Sequence, residues 1–357
     1  MNKVIEKSEV KKGQGLLEKF QSKSGIQLGT LLALILMCIV LVALTMTENG
    51  PKFVQPANVM NIFKQTAVNA FISVGMLLCL MTAGIDLSVG ANAIFCSCVV
   101  GALAKAGFQN GPLLILVALA IGAIVGCSNG LLLTRLHLPH PFVSTLGVKN
   151  VLWGLALLVT NSQMISNCFP DEVQWLGHEC IGGVSGFPIS FIFVIIVYVI
   201  MHIFLSRTSL GRSIYCAGGN IEATRLSGIN TANVLTFCYT ISGIMAAIAG
   251  VVIIGRTGIC NGANATQPYD TDAIAACIIG GASFNGGKGT MGGTMIGCLI
   301  IAILRNGFSL LAIPSSVQNI VLGLIIILSV LMDVVRAEME KKRRMQAAAK
   351  AAGVVKA

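Results

Sequence analysis

The sequence predicts an all-α, polytopic membrane protein with about ten transmembrane helices, some of them interrupted or re-entrant, and with both termini in the cytoplasm. Three observations predict this fold class. Of the 357 residues, 55% are apolar and only 11% are charged, against about 25% in a soluble domain. The mean hydropathy is +0.84, and the few charges leave long uncharged stretches. Soluble enzymes and disordered chains are therefore excluded.

Six uncharged stretches of 21 to 30 residues are long enough to cross a bilayer, which takes about 20 residues of helix. They are residues 24–47, 106–134, 150–170, 180–206, 226–255 and 306–332. Four further spans are less clean: 62–83, 87–104, 273–287 and 289–304, the last two being separated by a glycine-rich break at Lys288. The total of ten predicted spans is even, so both chain ends are expected on one side.

The signs of the charges predict the orientation. With a cytoplasmic N-terminus and alternating spans, 18 of the 24 Lys and Arg residues fall in cytoplasmic segments. The outside loop 161–187 contains acidic residues but no Lys or Arg. This is the positive-inside pattern. The net charge of +10 is then an orientation signal and does not indicate nucleic-acid binding. The expected organisation is a cytoplasmic tail 1–24, a transmembrane domain 25–335, and a basic cytoplasmic tail 336–357. The cluster Lys341–Arg344 in this tail is expected to be ordinary positive-inside charge, and contact with membrane lipid headgroups is the alternative.

No arrangement of residues predicts catalysis or a metal site in the chain itself. The sequence has neither G-x-S-x-G nor H-E-x-x-H, and its four histidines lack metal-ligand spacing. Residues 281–290 look like a phosphate loop, but Ala282 replaces its first glycine and Gly289 replaces its Ser or Thr. Cys168 and Cys180 share the outside loop. They are a candidate disulfide in an oxidising compartment, and two free thiols are the alternative.

Polar residues and helix breakers interrupt the apolar spans. In residues 84–90, GIDLSVG, Asp86 and Ser88 can each accept N–H groups of the next helix; contact with a transported polar molecule is the alternative. Six residues are predicted to break or open helices: Gly84, Gly90, Pro141, Gly286, Gly287 and Gly289. Six polar residues in or beside spans are candidates for a translocation pathway or a gate: Asp86, Ser88, Asn92, Asn129, Thr145 and Asn306.

The cytoplasmic stretch 206–229 predicts a short capped helix. Gly218 and Gly219 predict a flexible turn, and Asn220 is a favourable N-cap for two helical turns over 221–227. Gly228 is expected to end them. A short helix between two spans suits docking into a groove of another protein, and an interfacial linker helix is the alternative.

Glu222-Ala223, followed five residues later by Gly228-Ile229, resembles the EAA-type coupling loop of ABC-transporter permeases. From about residue 53 to residue 333, the chain resembles the ribose/monosaccharide branch of bacterial ABC importer permeases. Four blocks carry the resemblance: GIDLSVG (84–90), PFVSTLG (141–147), LGRSIYCAGGNIEATRLSGI (210–229) and DAIAACIIGGASFNGGKGT (272–290). One departure is Asp270-Thr271, where the family usually has Glu-Leu before the aspartate that corresponds to Asp272.

The resemblance implies a multi-pass subunit of the bacterial inner membrane that carries a ribose-like pentose or a hexose. Its implied partners are an identical or paralogous permease, a cytoplasmic ATPase that holds ATP and magnesium, and a periplasmic or lipoprotein sugar-binding protein. The implied ATPase-coupling residues are Arg212, Gly218, Gly219, Asn220, Glu222, Ala223, Arg225 and Gly228. Import of nucleosides, branched-chain amino acids or a signalling furanose is the alternative within this architecture. An ion-coupled secondary carrier is the alternative from another class.

Overall fold

The protein is described by a computed structural model that covers residues 28–46, 50–136, 138–183 and 186–351. The predicted tail 1–24 lies outside these residues, as do the side chains of the basic cluster 341–344. In chain order, the α-helices of the described residues are α1 (Leu28–Leu44), α2 (Pro56–Met81), α3 (Val89–Lys105), α4 (Gly111–Thr134), α5 (Pro141–Val159), α6 (Asp171–His178), α7 (Ile189–Arg207), α8 (Ser209–Gly219), α9 (Ile221–Leu226), α10 (Thr231–Thr257), α11 (Tyr269–Ile279), α12 (Met291–Leu310) and α13 (Ser315–Ala351).

The structure is mostly helical, and within the described residues six helices are long and apolar enough to cross a membrane: α2, α4, α5, α7, α10 and α12. Three shorter apolar helices are Gly29–Leu44, Val89–Lys105 and Ser315–Leu331. The predicted fold class is therefore confirmed as a helical protein with multiple apolar spans. The count of ten and the orientation of the termini stay predictions.

Two span boundaries drawn from the charge gaps are wrong. The stretch 150–170 was expected to form one span, but α5 covers Pro141–Val159 and carries Lys149 in its interior. Likewise, the expected span 306–332 is divided between α12 and α13, and Arg305 lies within α12. Both charges are tolerated because each is paired with an aspartate, Lys149 with Asp270 and Arg305 with Asp272. A paired charge inside a span costs far less than an isolated one.

Helix α10 packs at the centre of the unit formed by residues up to 312, against α2, α3 and α4. The backbone of α10 is in direct contact with the backbone of α4, because glycines of the two helices face one another. A Cβ atom at Gly126 would overlap the carbonyl oxygen of Tyr239, and one at Gly243 would overlap that of Gly122. Such close backbone approach is how small residues hold helices together in lipid. On α2, every residue from Thr66 to the helix end is buried.

Two short antiparallel β-ladders lie in the loops between helices. Strand β1 (Ile165–Ser166) pairs with β4 (Ile259–Cys260), and β2 (Cys180–Ile181) pairs with β3 (Phe187–Pro188). The predicted outside loop 161–187 thus contains β1, helix α6 and β2. The first ladder ties this loop to the segment that follows α10.

Residues from 313 onward form a second compact unit. Its described part is the helix α13, which begins at Ser315 and continues to Ala351. It therefore runs past residue 336, where the basic tail was predicted to begin. The division into a transmembrane domain and a tail stays a prediction.

Candidate functional site

The segment α8–α9, residues 209–226, is built by two polar caps. The Thr208 hydroxyl accepts the N–H of Gly211 at 3.0 Å and begins α8. The Asn220 side chain accepts the N–H of Ala223 at 2.9 Å and begins α9, which confirms the predicted N-cap. Gly228 has a φ of +84°, a conformation that favours glycine, and it lies just after α9. The predicted short helix is thus present over Ile221–Leu226, and its docking role stays a prediction.

The surface of α9 is open to solvent and carries both charge and apolar area. Glu222 and Arg225 form an ion pair of 3.0 Å whose side chains are 68% and 66% exposed, so the pair adds little stability. Leu226 is 83% exposed and Ile221 is 44% exposed. Ala223 is exposed as well. Leu226 was not among the residues predicted to couple to a partner, although an apolar residue directly after Arg225 in a polar stretch was a signal that could have drawn attention to it.

Gly218 and Gly219 do not form the flexible turn that was predicted. Both belong to helix α8, and the chain turns at Asn220, which has extended backbone angles. Gly218 is buried, and a Cβ there would overlap the carbonyl oxygen of Met81 and crowd the backbone of Gly287. Nothing lies within 4 Å of a Cβ at Gly219. Gly218 therefore allows α8 to pack backbone to backbone against the end of α2.

The glycine-rich loop 280–289 completes this junction, which joins α8, the end of α2 and the loop. The N–H of Gly287 donates to the carbonyl oxygen of Met81 at 2.9 Å, and the Tyr215 hydroxyl donates to that of Gly289 at 2.9 Å. Burial raises the pKa of the Tyr215 phenol, so the hydroxyl keeps its proton. Gly286 and Gly287 have positive φ, as expected for helix-breaking positions. These contacts join α8, which directly precedes α9, to the end of α2 and to the loop 280–289.

Two of the six predicted break residues act differently from expectation. Gly90 lies inside α3, so it does not interrupt a helix. At the end of α2 the left-handed residue is Ala83, with a φ of +58°, whereas Gly84 leaves room for the Tyr239 hydroxyl. Pro141 is at the first position of α5, where its fixed φ is favourable. The predicted opening of that span is confirmed.

Four of the six polar pathway candidates meet in one cluster, the Asp86 cluster, defined as Asp86, Ser88, Asn92 and Asn129. Asp86 accepts the N–H of Ser88 at 3.0 Å and its hydroxyl at 2.6 Å. Asn129 on α4 donates to the Ser88 hydroxyl at 2.8 Å, and Asn92 donates to the carbonyl oxygen of Gly243 at 3.3 Å. All four side chains are buried. The cluster therefore joins α3 to α4 and α10.

The expected caps are only partly present. Ser88 makes no side-chain bond to the free N–H groups of α3, because its hydroxyl is used by Asp86 and Asn129. The second oxygen of Asp86 accepts the Ser242 hydroxyl of α10 at 2.9 Å. Asp86 thus fixes the turn before α3 to α10, and a role in a pathway stays a prediction.

The other two pathway candidates lie elsewhere. The Thr145 hydroxyl of α5 donates to backbone oxygens, at 3.0 Å to Pro141 and 3.3 Å to Ile85. Asn306 of α12 exchanges two amide hydrogen bonds with Asn58 of α2, at 2.9 and 3.0 Å. Thr145 therefore holds the turn next to Asp86, and Asn306 links two spans away from the Asp86 cluster.

Replacing Asp86 by leucine is expected to make the protein unfold more readily, because three hydrogen-bond donors lose their acceptor. Each buried unpartnered donor costs about 1–3 kcal/mol, so the free energy of unfolding should fall by about 3 kcal/mol or more. Asp86→Asn keeps an oxygen for Ser88 and should be much milder. The thermal melting midpoint of the purified full-length protein measures both. Asp171→Leu, at an exposed acidic residue that begins α6, is the matched control. An unchanged midpoint with lost uptake would contradict the structural role and favour a pathway role.

A second polar region lies where α10, α11 and α12 meet, and sequence reasoning did not assemble it. Asp272 accepts two hydrogen bonds from Arg305, at 2.7 and 2.8 Å. Asp270 accepts from Lys149 at 2.6 Å. A cavity of about 190 Å³ lies beside the first pair and is also lined by Arg256 and Asn69. The signal was available, since Lys149, Asp272 and Arg305 stand out as charges near apolar spans, but the sequence placed them at span ends.

The two cysteines of the outside loop are free thiols in the structure. Cys168 lies 3.9 Å from the carbonyl oxygen of Gly101, and Cys180 lies 3.7 Å from that of His178. Burial raises the pKa of the Cys168 thiol, and the positive charge of Lys105 partly offsets this rise. Of the two alternatives, the structure has the unbonded one. Within the described ranges, no three His, Cys, Asp or Glu side chains lie close enough together to hold a metal ion.

Comparison with known proteins decides the family. The profile of the branched-chain amino acid transport system permease component matches residues 58–330. The chain belongs to this permease family. This confirms the resemblance inferred from the four sequence blocks, and it identifies the chain as a multi-pass membrane permease.

Curated relatives cover most of the permease. It is 37% identical to the ribose import permease protein RbsC of Escherichia coli strain K12, over 83% of this chain and 91% of that protein. It is 34% identical to the D-allose transport system permease protein AlsC of the same strain, over 82% of this chain and 88% of that protein. It is 31% identical to the autoinducer 2 import system permease protein LsrC of Photorhabdus luminescens, over 76% of this chain and 80% of that protein. No solved structure matches the permease.

Proposed function

We propose that this permease is the membrane-spanning subunit of an ATP-binding-cassette importer for a monosaccharide. It works in the inner membrane beside a second permease, identical or paralogous. A separate cytoplasmic ATPase binds ATP and magnesium, and the permease supplies no catalytic residue. A periplasmic or lipoprotein binding protein delivers the sugar. The observation that carries the proposal is α9, a capped helix with an exposed Leu226 and an exposed ion pair, in a chain that belongs to a permease family.

The coupling role of α9 is supported by its position. The Gly218 contact joins α8 to the ends of α2 and the loop 280–289, so a partner that moves α9 would move two spans. In this proposal Arg212, Asn220, Ala223, Arg225 and Gly228 shape or surround the docking surface, whereas Gly219 precedes it with open space at its Cβ position. Arg212 is exposed on α8, where it can meet an acidic partner.

The proposed topology has ten spans, with both termini in the cytoplasm. Nine are the six long helices and the three shorter apolar ones. The tenth is α11 with the loop that follows it, because this loop reaches Met81 at the end of α2. Helix α10 has 27 residues and is about 40 Å long. Its first residue follows α9, so its last residues lie at the outer end of the membrane domain.

The proposed substrate is a ribose-like pentose or a hexose. Support comes from the relatives, whose names specify ribose, D-allose and autoinducer 2. A nucleoside, a branched-chain amino acid or a signalling furanose is the alternative within the same architecture. An ion-coupled carrier is the alternative from another class. It would use intramembrane ionisable groups as a relay, whereas Lys149, Asp270, Asp272 and Arg305 are held in two ion pairs.

Uptake into proteoliposomes tests the proposed function. With the cognate ATPase and binding protein reconstituted beside the permease, we expect D-ribose or D-allose to accumulate only when ATP is supplied on the cytoplasmic side. The panel adds uridine, leucine and autoinducer 2. Accumulation of one of these three in place of a sugar would overturn the substrate class. Accumulation driven by an ion gradient with no ATPase present would overturn the importer mechanism.

A further inference from the structure

A small polar cavity lies at the end of the membrane domain that is opposite α9. Its volume is about 190 Å³, and side chains of α2, α10, α11 and α12 line it. Pockets for drug-sized ligands measure about 300–1,000 Å³, so this cavity suits a smaller molecule. Its polar lining is unusual for a span interior. Gln65 and Asn69 come from α2, Arg256 from the end of α10, and Arg305 from α12.

The cavity offers unused hydrogen-bond donors. Arg305 donates hydrogen bonds from Nε and Nη2 to Asp272, at 2.8 and 2.7 Å. Its Nη1 group has no hydrogen-bond partner among the described residues. Arg256 has no hydrogen bond or ion pair with any described residue. A guanidinium group has five N–H donors and no acceptor. The lining therefore holds several N–H groups that a bound molecule can accept from.

The cavity also offers an unused acceptor. Asn69 is only 7% exposed, and its Oδ1 atom has no hydrogen-bond partner in the part of the chain that the structure describes. Leaving a buried amide oxygen unpaired costs free energy, and native structures rarely keep such groups without a water or ligand. Because Oδ1 can only accept, its missing partner must be a donor.

Donors and an acceptor facing one cavity define the ligand chemistry. A carboxylate or phosphate dianion has acceptors only and would leave Asn69 unsatisfied. An alkyl ammonium ion has donors only, so it would leave the arginine N–H groups without acceptors. It would also be repelled, because the lining carries one excess positive charge once Asp272 balances one of the two arginines. A hydroxyl group donates once and accepts twice. A small molecule with several hydroxyl groups satisfies both sets.

We propose that this cavity, formed by Gln65, Asn69, Arg256, Tyr269, Asp272 and Arg305, binds a neutral polyhydroxy molecule of monosaccharide size. The assignment rests on the proposed function, because the sugar that the importer carries is the molecule of this chemistry. The cavity lies at the proposed outer end, where the binding protein releases its ligand. Asn69 receives a sugar hydroxyl, and Arg256 and Arg305 donate to sugar oxygens.

Equilibrium binding to the full-length permease tests this assignment. The protein is placed in lipid nanodiscs, and radiolabelled D-ribose, D-allose, D-glucose and D-galactose are titrated in turn. We expect saturable binding of at least one sugar. Asn69→Leu and Arg256→Met should each weaken that binding about tenfold or more, the effect of losing one or two hydrogen bonds to a polar group. D-Ribonate and choline should compete poorly.

Matched variants separate the cavity from general effects. Asn61→Leu makes the same change at an exposed position of α2, and Lys105→Met removes one positive charge from the exposed end of α3; both should bind sugar as the unmodified protein does. Elution volume and melting midpoint show that the cavity variants fold, and a variant that misfolds is replaced by Gln65→Leu, for which the same loss is expected. No binding of any of the four sugars, equal binding by the cavity variants, or tighter binding of ribonate than of ribose would each overturn the assignment.

The failures of the two proposals are distinguishable. ATP-driven sugar uptake with undiminished binding and uptake in Asn69→Leu would contradict the cavity assignment and leave the importer function standing. Saturable sugar binding in the cavity without ATP-driven uptake in proteoliposomes would contradict the importer function and leave the cavity as a sugar site.

Discussion

Replacing Leu226 by aspartate is expected to abolish both ATPase binding and ATP-driven uptake while the permease stays folded. Leu226 is 83% exposed at the end of α9, so the change disturbs no core contact. In the docked complex its side chain would be desolvated, and a central apolar side chain of this kind can dominate an interface. An unpaired carboxylate there costs several kcal/mol.

We expect the affinity for the purified ATPase subunit to fall at least about 100-fold, which is about 2.7 kcal/mol. Surface plasmon resonance against the nanodisc-embedded permease measures it. Leu136→Asp is the matched control, since Leu136 is 70% exposed and follows α4 near the same end of the domain. The affinity of Leu136→Asp for the ATPase subunit should stay within about twofold of that of the unmodified permease. Equal loss in both variants would mean a general charge effect, and no loss in Leu226→Asp would mean that α9 does not dock.

Gly218→Ala is expected to impair transport strongly, whereas Gly219→Ala is expected to be neutral. A methyl group at Gly218 overlaps the Met81 carbonyl oxygen, which also accepts the N–H of Gly287. Two backbone segments must then move apart, and forced overpacking costs about 1–3 kcal/mol. A methyl group at Gly219 meets nothing within 4 Å, and alanine is the better helix former.

Uptake rate and melting midpoint check this pair. Gly218→Ala should lose at least about tenfold in the rate of ATP-driven sugar uptake and melt several degrees lower. Gly219→Ala should keep its rate and melt at the same temperature or slightly higher. Equal behaviour of the two variants would contradict the packing of α8 against α2. A normal melting midpoint with lost uptake in Gly218→Ala would locate the effect in coupling, because the junction would then transmit motion without adding stability.

The short helix α9 could be predicted because its signals are local. Asn220 caps it and Gly228 follows it, within nine residues of chain. The Asp86 cluster could be predicted only as a set of candidates. Its partners Asn129 and Ser242 are far along the chain, and their hydrogen bonds exist only after α3, α4 and α10 pack. Gly218 was misjudged for the same reason, since the group that requires a glycine there is the carbonyl of Met81.

The sequence by itself determined the membrane class, the short capped helix α9 and the family, because charge spacing, caps and motifs act over short stretches of chain. The tertiary structure alone decided where spans carry charge. The 11% of charged residues marked most span ends, yet Lys149 and Arg305 lie inside helices because Asp270 and Asp272 reach them from a distant segment. Only packing brings Asn69, Arg256 and Arg305 to one cavity. Pairing in space sets the cost of a charge in lipid, and sequence spacing does not report it.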